Sequence, residues 1–263
     1  MSGTTLAVIA QGRKRLALGE RVFDYGVGQY LVASVDLPVT GHLIEDVAGR
    51  PSLGFGMTLE PAEIAELMLA GGPMEPPTAA GAGRAGITVS DAPVELIDAI
   101  VRLLRLVDRP RERAVLGPLV KREILWRLMT GEQGDMVRQL GLADSRLSHI
   151  RHAVRWIREN YAQPFRVEDV AQLVGMSVSA FHRNFQEMTA MTPIQFQKRI
   201  RLQEARMLLA HRPKDVTAVS SRVGYRNPSQ FSREYRREFG APPSVDAVLL
   251  QGSGLSSTVD PLQ

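Results

Sequence analysis

An internal duplication constrains the fold of this 263-residue chain more than any other feature. The segment "VEDVAQLVGMSVSAFHRNFQEMTAMTP" (167–193) matches "VTAVSSRVGYRNPSQFSREYRREFGAPP" (216–243) when one residue is added after the turn. The aligned positions share glycine, aromatic, arginine and proline residues: Gly175 with Gly224, Phe181 with Phe231, Arg183 with Arg233, Phe185 with Tyr235, and Thr192-Pro193 with Pro242-Pro243. Two such units about fifty residues apart indicate a repeated supersecondary structure.

Each copy has the pattern of a helix-turn-helix, and its first helix is predicted over 168–174 or 217–223. Both helices end at a glycine, which readily adopts the left-handed conformation that follows a helix. We expect small apolar residues of this helix to point inward: Ala171, Ala218 and Val219.

The second helix of each copy is predicted over about 178–188 and 228–238. Ser177 and Asn227 have side chains suited to capping its N-terminus, and Pro228 suits its first turn. The aromatic residues lie four apart and are expected to pack in the domain core rather than stack on bases: Phe181, Phe185, Phe231 and Tyr235.

The opposite edge of each second helix is polar. Arginine can donate to both O6 and N7 of guanine, and glutamine can pair with N6 and N7 of adenine, in the major groove. A merely solvated basic face is the alternative for any one residue. The predicted DNA contacts are Ser179, His182, Arg183, Gln186, Arg226, Asn227, Ser229, Gln230, Arg233, Arg236 and Arg237, with Arg222, Arg226 and Arg236 assigned to phosphates.

The segment "TPIQFQKRIRLQEARMLLA" between the two units predicts a linking helix. Its apolar positions recur at helical spacing: Ile194, Phe196, Ile200, Leu202, Ala205, Leu208 and Leu209. A length of roughly 25 Å suits two recognition helices placed in successive major grooves, which are ~34 Å apart. We expect Arg201 to be buried by its stem or paired with Glu204 or Asp169, and therefore not to contact DNA.

Short apolar runs separated by turn residues precede these helices. "TLAVIA", "RLALGERVFDYG", "QYLVASVDLP" and "SLGFGMTL" predict an antiparallel sheet or barrel, with a hairpin turn at Gly19-Glu20. "EPAEIAELMLA" predicts a helix with Ile64, Leu67 and Met68 on one face and Pro61 in its first turn.

The Gly/Pro-rich stretch 71–86 has Gly81, Gly83 and Gly86 at the spacing of a dinucleotide-binding loop. Prolines precede it and a predicted strand, "ITVS", follows it, so a surface loop is the better interpretation. From Pro93 onward the apolar spacing becomes helical, and the face of the first such helix is defined by Leu96, Ile100, Leu103, Leu104 and Val107. These helices pack either on the sheet or on a second copy of the chain.

Charge and composition narrow the class of function. Residues 1–144 carry a net charge of −3 and residues 145–263 a net charge of +7, so a polyanionic partner is expected for the second half. The absence of cysteine excludes disulfides and zinc-thiolate sites, and no signal or membrane segment is evident. Neither the spacing of His149 and His152 nor the lone His42 predicts a metal site, and no catalytic motif is present. We therefore predict a cytoplasmic protein that is not an enzyme and has no cofactor.

The motifs "RIRLQEARMLL" and "VGYRNPSQFSREYRREFGAPP" resemble the AraC/XylS family of bacterial transcription regulators, over roughly residues 150–245. "QGRKRLALGERVFDYGVGQYLVASVDLPVTG" and "VRLLRLVDRPRERAVLGPLVKREILWRLMTG" are similar to the N-terminal regulatory domain of that family. The resemblance implies an α+β fold with an N-terminal antiparallel cupin-like β-barrel, a helical connector and a C-terminal all-α domain. Family members usually begin earlier, so it also implies a missing N-terminal strand or arm.

From these patterns we predict four regions: a β-rich regulatory domain (1–92), a helical connector and candidate dimerisation region (93–144), a DNA-binding domain (145–248) and a flexible, non-helical tail (249–263, or from just after Val245). The expected partners are promoter or operator DNA, a second copy of the chain, a small-molecule effector and, for an activator, RNA polymerase. A sensor domain would enclose a pocket near Tyr25, Tyr30 and Phe55, whereas a purely scaffolding domain would fill that space with side chains.

Overall fold

The computed structural model describes residues 4–44, 50–72, 86–142, 145–211 and 215–252. These residues form seven strands: β1 Thr5–Gln11, β2 Arg13–Leu18, β3 Arg21–Gly26, β4 Gln29–Ala33, β5 Thr40–Ile44, β6 Leu53–Thr58 and β7 Ile87–Asp91. They also form eleven helices: α1 Pro61–Ala70, α2 Val94–Arg105, α3 Pro110–Thr130, α4 Gly134–Gly141, α5 Arg146–Glu159, α6 Val167–Leu173, α7 Val178–Thr189, α8 Pro193–His211, α9 Val216–Arg222, α10 Pro228–Phe239 and α11 Pro243–Gly252. None of the described helices combines the length and hydropathy needed to cross a bilayer.

The N-terminal strands form two antiparallel sheets. The first has the order β6-β1-β4-β7 and the second the order β3-β2-β5. The predicted hairpin is confirmed, because Leu18 pairs with Arg21 across the turn and Gly19 has a φ of +61°. Buried apolar residues of both sheets share one core: Leu6, Leu18, Tyr25, Tyr30 and Leu31. The predicted α+β fold class is confirmed.

Helix α1 has the predicted inner face, since Ile64 and Leu67 are buried and Met68 packs against the same core. The apolar face predicted for α2 differs from the structure at two positions, and one of them, Val107, lies in the turn after the helix. Leu96 and Ile100 are buried, but Leu104 and Val107 are 47% and 55% exposed. The buried stripe of α2 is therefore narrower than the five apolar residues suggested, and its outer apolar residues face solvent.

Helix α8 extends for 19 residues, or about 28 Å, through the C-terminal half. Phe196, Ile200 and Leu209 are buried on its inner side, as predicted. Ile194 is 45% exposed, so its assignment to the apolar face is wrong. It lies in the first turn of the helix, next to buried Pro193, and its own side chain faces solvent.

The C-terminal segment beyond Val245 is helical as far as Gly252, so the expectation of a non-helical tail is wrong for these residues. Pro243 starts α11, and Ala247 is fully buried against α8 and α10. Tertiary packing therefore overrides the weak local helix signal of this segment. Residues 253–263, the remainder of the predicted tail, lie outside the described residues, as do Gly81 and Gly83.

The two halves of the chain are in direct contact. The N–H of Gly86, just before β7, donates to the carbonyl oxygen of Met188 in α7 at 2.8 Å. The Arg158 guanidinium in α5 pairs with Asp36 at 2.9 Å. One continuous apolar core runs from the sheets through α5 to α7 and the first part of α8.

Candidate nucleic-acid interface

The duplicated segments fold as two similar units, the first made of α6 and α7 and the second of α9 and α10. The turn of each unit contains the predicted glycine in the left-handed region, with φ of +67° at Gly175 and +89° at Gly224. At Gly224 a β-carbon would also collide with the backbone of Ala162. Glycine is therefore required there both by conformation and by close approach.

The predicted caps of the second helices are confirmed. Ser177 Oγ accepts a hydrogen bond from the N–H of Ala180 at 3.4 Å. Asn227 Oδ1 accepts from the N–H groups of Ser229 and Gln230 at 2.9 and 3.2 Å. Together with Pro228 in the first turn, these bonds fix where α7 and α10 begin.

The aromatic stripe of each second helix is fully buried, as predicted: Phe181, Phe185, Phe231 and Tyr235. The rings of Phe181 and Phe185 meet edge-on at 5.4 Å, and Phe185 meets Phe196 of α8 in the same way. In the second unit the rings of Phe231 and Tyr235 lie 5.5 Å apart. Because these rings anchor the helices, the opposite edges face away from the core.

The inner face of the first helices agrees with prediction at Ala171 and Val219 but not at Ala218. Ala218 is exposed, and its N–H donates to the capping carboxylate of Asp215 at 3.2 Å. Ser220 is fully buried instead, at the position equivalent to Ala171. The expectation for Ala218 failed because Ala218 lies in the first turn of α9, on the side away from the core.

The predicted DNA contacts lie at the surface of both units. All but one are exposed: Ser179, Arg183, Gln186, Arg226, Asn227, Ser229, Gln230, Arg233, Arg236 and Arg237. His182 is half-buried beside Phe181. Among the described residues, neither Arg183 nor Arg233 has a hydrogen-bond or ion-pair partner, so both guanidinium groups keep their donors available.

Two predicted contacts have structural roles as well. Asn227 Oδ1 is occupied by the helix cap, although its amide nitrogen remains a possible donor. Gln230 Nε2 donates to Glu234 Oε1 at 3.2 Å. Contact between Gln230 and a base would therefore compete with this intrahelical bond.

A carboxylate that the sequence analysis did not single out organises the second unit. Glu234 accepts from Lys198 Nζ at 2.9 Å and from the Tyr225 hydroxyl at 2.8 Å. Burial raises the pKa of Glu234, but hydrogen bonds from Lys198, Tyr225 and Gln230 outweigh it, so the pKa is lowered overall. Burial and the bond to Glu234 raise the pKa of Tyr225. No local sequence motif signals this network.

A second buried carboxylate holds α11 in place. Asp246 accepts from the Tyr235 hydroxyl at 2.7 Å and from Arg206 Nε at 2.9 Å. The Arg206 guanidinium also lies 4.7 Å from the ring centre of Phe239. These contacts connect α8, α10 and α11, so they explain why the chain remains helical after Val245.

Arg201 is excluded from the predicted DNA contacts, and of the two expected reasons the structure supports burial, since Arg201 is half-buried, and not pairing with an acid. Its guanidinium donates to the carbonyl oxygens of Tyr161 and Gly224 at 2.7 and 3.1 Å. It donates as well to the carbonyls of Ala162 and Gln163. Pairing with Glu204 or Asp169 is therefore wrong. Arg201 instead fixes the turn of the second unit against the segment before α6.

Two family models match this chain. Residues 1–136 match the N-terminus of the AraC-type transcriptional regulators, and residues 170–246 match a helix-turn-helix domain. The HTH-type transcriptional activator RhaS of an Enterobacter species is 28% identical over 149 residues, which cover 56% of this chain and 52% of RhaS. RhaS of Klebsiella pneumoniae is 34% identical over 100 residues, or 38% of this chain and 35% of RhaS. The chain thus spans about half the length, or less, of the curated relatives it matches.

The fold has a solved counterpart over nearly its whole length. The apo form of a variant of ToxT from Vibrio cholerae aligns with a TM-score of 0.60 over 95% of this chain and 90% of that one. Its sequence identity is 9%, so this likeness concerns the fold alone.

The first family model alone covers more than half of the chain, and the second covers both helix-turn-helix units. The relatives are transcriptional regulators, which are not enzymes, in agreement with the sequence prediction. The family resemblance stated from the motifs is confirmed. This chain belongs to the AraC-type transcriptional regulators.

Proposed function

We propose that the protein regulates transcription by binding a specific double-stranded DNA sequence, with α7 and α10 in adjacent major grooves. One observation supports this proposal most strongly. Arg183 and Arg233 occupy aligned positions on the two second helices, both are exposed, and both keep their donors free of partners among the described residues. Arginine at such a position can donate to both acceptors on a guanine edge.

The remaining polar residues divide by role. Besides the two arginines, the candidates for base contacts are Ser179, His182, Gln186, Ser229, Gln230 and Arg237. The candidates for phosphate contacts are Arg222, Arg226 and Arg236. Helix α8 links the two units, and its length of about 28 Å is compatible with recognition helices in grooves ~34 Å apart on one side of the duplex. The four predicted regions remain part of this proposal, with the boundary at 248/249 moved to the end of α11, which that boundary would cut.

We also propose that the protein binds DNA as a homodimer. Helix α2, the turn after it and α3 have exposed apolar residues: Leu104, Val107, Val115, Leu116 and Leu119. An exposed apolar patch of this kind is suited to an interface between proteins. RhaS is named an activator, and an activating role here would make RNA polymerase a further partner.

Modulation by a small-molecule effector is supported by the contact between β7 and the end of α7, which links the N-terminal domain to the first unit. ToxT has also been solved with an unsaturated fatty acid bound.

A second candidate, a constitutive regulator with a scaffolding N-terminal domain, is supported by the packing of that domain. Tyr25 and Tyr30 are each 2% exposed, and Phe55 packs against the same core, so the rings considered for a pocket belong to the packed core.

Selection of bound sequences from a random pool of duplex DNA tests the proposed function. We expect enrichment of one motif with two sequence blocks about 10–10.5 base pairs apart. Affinity for that motif should fall as salt rises, because phosphate contacts release counterions. Recovery of no motif would contradict the proposal. Thermal-shift measurements with candidate compounds separate the sensor, which should respond, from the scaffold, which should not.

A further inference from the structure

Glu234 holds the side chain of Gln230 on the exposed edge of α10. Gln230 Nε2 donates to Glu234 Oε1 at 3.2 Å. Gln230 is exposed, whereas the side chain of Glu234 is only 13% exposed. A glutamine at the surface of a helix without such a bond samples several rotamers. The bond therefore restricts a polar group that belongs to the proposed DNA-binding edge.

The carboxylate of Glu234 is itself fixed by other parts of the second unit. Lys198 Nζ donates to Oε1 at 2.9 Å, and the Tyr225 hydroxyl donates to Oε2 at 2.8 Å. Lys198 belongs to α8, and Tyr225 to the turn between α9 and α10. Because α8, this turn and α10 meet at one carboxylate, Gln230 is held from a rigid point.

The charge of Glu234 determines which end of the Gln230 amide faces it. Burial raises the pKa of Glu234, but hydrogen bonds from Lys198, Tyr225 and Gln230 lower it by more, so the carboxylate is ionised at neutral pH. An ionised carboxylate only accepts hydrogen bonds, whereas a glutamine amide has one end that donates and one that accepts. Nε2 must therefore point toward Glu234, and Oε1 away from it.

One edge of the Gln230 amide stays available in this orientation. Nε2 carries two hydrogens, and repulsion between Oε1 and the carboxylate favours the use of the hydrogen that points away from Oε1. Oε1 has no hydrogen-bond partner among the described residues. The remaining N–H beside Oε1 matches N7 and N6 of adenine. Guanine presents two acceptors instead, so it would compete for the hydrogen that Glu234 holds.

The first unit lacks this arrangement. Ala180 occupies the position aligned with Gln230, and Asn184 the position aligned with Glu234. Asn184 is buried, and its Oδ1 has no hydrogen-bond partner in the described part of the chain. Helix α7 therefore presents no amide in its first turn, and the two recognition helices differ there although their backbones are alike.

We propose that Glu234 is a positioning residue that sets the base specificity of the second unit, by holding the Gln230 amide so that its N–H and Oε1 recognise an adenine. The inference rests on the proposed function and deepens it, since it assigns a base to one helix. Gln230 is the third residue of α10, and Arg233 lies one turn further along the same edge. The adenine therefore belongs to the block of the motif that Arg233 contacts.

A modified base tests the contact with adenine. The probe is duplex DNA with the motif selected by wild-type protein, in which 7-deazaadenine replaces each adenine in turn within the block whose preference depends on Arg233. This base pairs with thymine but lacks the N7 acceptor. At one position we expect wild-type affinity to fall by about three- to ten-fold and the affinity of Gln230→Ala to stay unchanged. No such position, or an equal fall in Gln230→Ala, overturns the proposal.

Glu234→Gln separates positioning from stability. A neutral amide can accept or donate, so this variant no longer fixes the orientation of Gln230. We expect a weaker preference for adenine over guanine at that one position, with the rest of the motif retained. Tyr225→Phe removes a bond to the other oxygen of Glu234, so it should lower stability and leave the preference intact. Uniform weakening in Glu234→Gln, or the same loss of preference in Tyr225→Phe, overturns the proposal.

The mobility of the Gln230 amide in the wild-type protein gives a test that needs no folded variant of Glu234. Gln186 is the internal comparison, because it is exposed on α7 and its side chain has no hydrogen-bond partner among the residues described. Nitrogen-15 relaxation of the side-chain amides, without DNA, should show Gln230 to be much more rigid than Gln186. Equal mobility overturns the proposal.

The same selection experiment distinguishes the two proposals. If wild-type protein selects a two-block motif and Glu234→Gln selects it with an unchanged preference for adenine, only the positioning role fails. If wild-type protein selects no motif, the proposed function fails and the positioning role fails with it. If Gln230 is rigid and the preference changes at one base in Glu234→Gln alone, both proposals are supported.

Discussion

Asn184 in the first helix-turn-helix unit and Glu234 in the second occupy aligned positions but differ in how the structure uses them. Glu234 accepts hydrogen bonds from Lys198 and Tyr225. Asn184 is buried, and its Oδ1 has no hydrogen-bond partner among the described residues. The second unit is therefore held partly by a charged network, whereas the first depends on apolar packing. Similar backbones can thus be stabilised by different chemistry.

The two units also differ in their connection to the rest of the protein. Phe181 and Phe185 belong to the core shared with the N-terminal domain, whereas Phe231 and Tyr235 belong to a separate cluster. The N-terminal domain reaches the second unit through Arg199, which donates to Thr40 Oγ1 at 3.4 Å and pairs with Glu238 at 3.0 Å. We infer that a change in the N-terminal domain acts first on α7.

The largest expected effect comes from removing one anchoring ring in each unit. Phe181→Ala and Phe231→Ala should each lower the free energy of unfolding by about 3–5 kcal/mol. Phe181→Ala should also reduce hydrogen-exchange protection in the N-terminal strands, because its core is continuous with theirs, whereas Phe231→Ala should reduce protection only in α8–α11. Met207→Ala, at an exposed site on α8, serves as control. Loss of strand protection in both phenylalanine variants would show that the cores are not separate.

A smaller effect is expected from the charged network. Glu234→Gln should destabilise the second unit by about 1.5–3 kcal/mol at neutral pH, since its bonds to Lys198 and Tyr225 involve a charge. The folded pKa of Glu234 is lowered, so its contribution is complete above the unfolded pKa of about 4.3 and is lost as pH falls through the folded pKa.

Denaturation of the second unit should be measured as pH falls below the unfolded pKa of Glu234. The free energy of unfolding should decrease more steeply for wild type than for Glu234→Gln. Glu204→Gln, at a half-buried carboxylate on α8 that makes no hydrogen bond to another described residue, is the matched control. Identical pH profiles for wild type and Glu234→Gln would contradict a stabilising role for the carboxylate.

The smallest expected effect on stability comes from the helix caps. Asn227→Ala should cost about 1 kcal/mol and Ser177→Ala less, because Asn227 accepts two hydrogen bonds and Ser177 a single long one. Urea denaturation of the two variants measures the difference. Asn227→Ser should restore most of the loss. An equal or larger cost at Ser177 would show that the caps do not account for how these helices start.

Local sequence patterns predicted the turns of this fold and the buried edges of its recognition helices. Gly19, Gly175 and Gly224 mark turns that need positive φ, and the spacing of Phe181 and Phe231 identifies the buried edge of each recognition helix. Once the buried edge of a recognition helix is known, the helical repeat identifies the residues on its exposed edge. The DNA contacts themselves remain a prediction.

Contacts between distant segments could not be predicted in the same way. The carbonyl partners of Arg201, the pairing of Asp246 with Tyr235 and the bond from Gly86 to Met188 each join residues that lie on different elements. Helix α11 was missed for this reason, because its stability comes from packing on α8 and α10.

Sequence selection with Arg183→Ala and Arg233→Ala variants tests most directly whether each unit reads its own groove. We predict that Arg183→Ala removes base preference within one of the two blocks of the selected motif and that Arg233→Ala removes it within the other. Each should cost about 1–3 kcal/mol on the wild-type site and much less on random DNA. The contradicting result is an equal loss of affinity for selected and random DNA in both variants, with the motif unchanged. The arginines would then contact only the DNA backbone, and the hypothesis that each unit recognises bases in its own groove would be wrong.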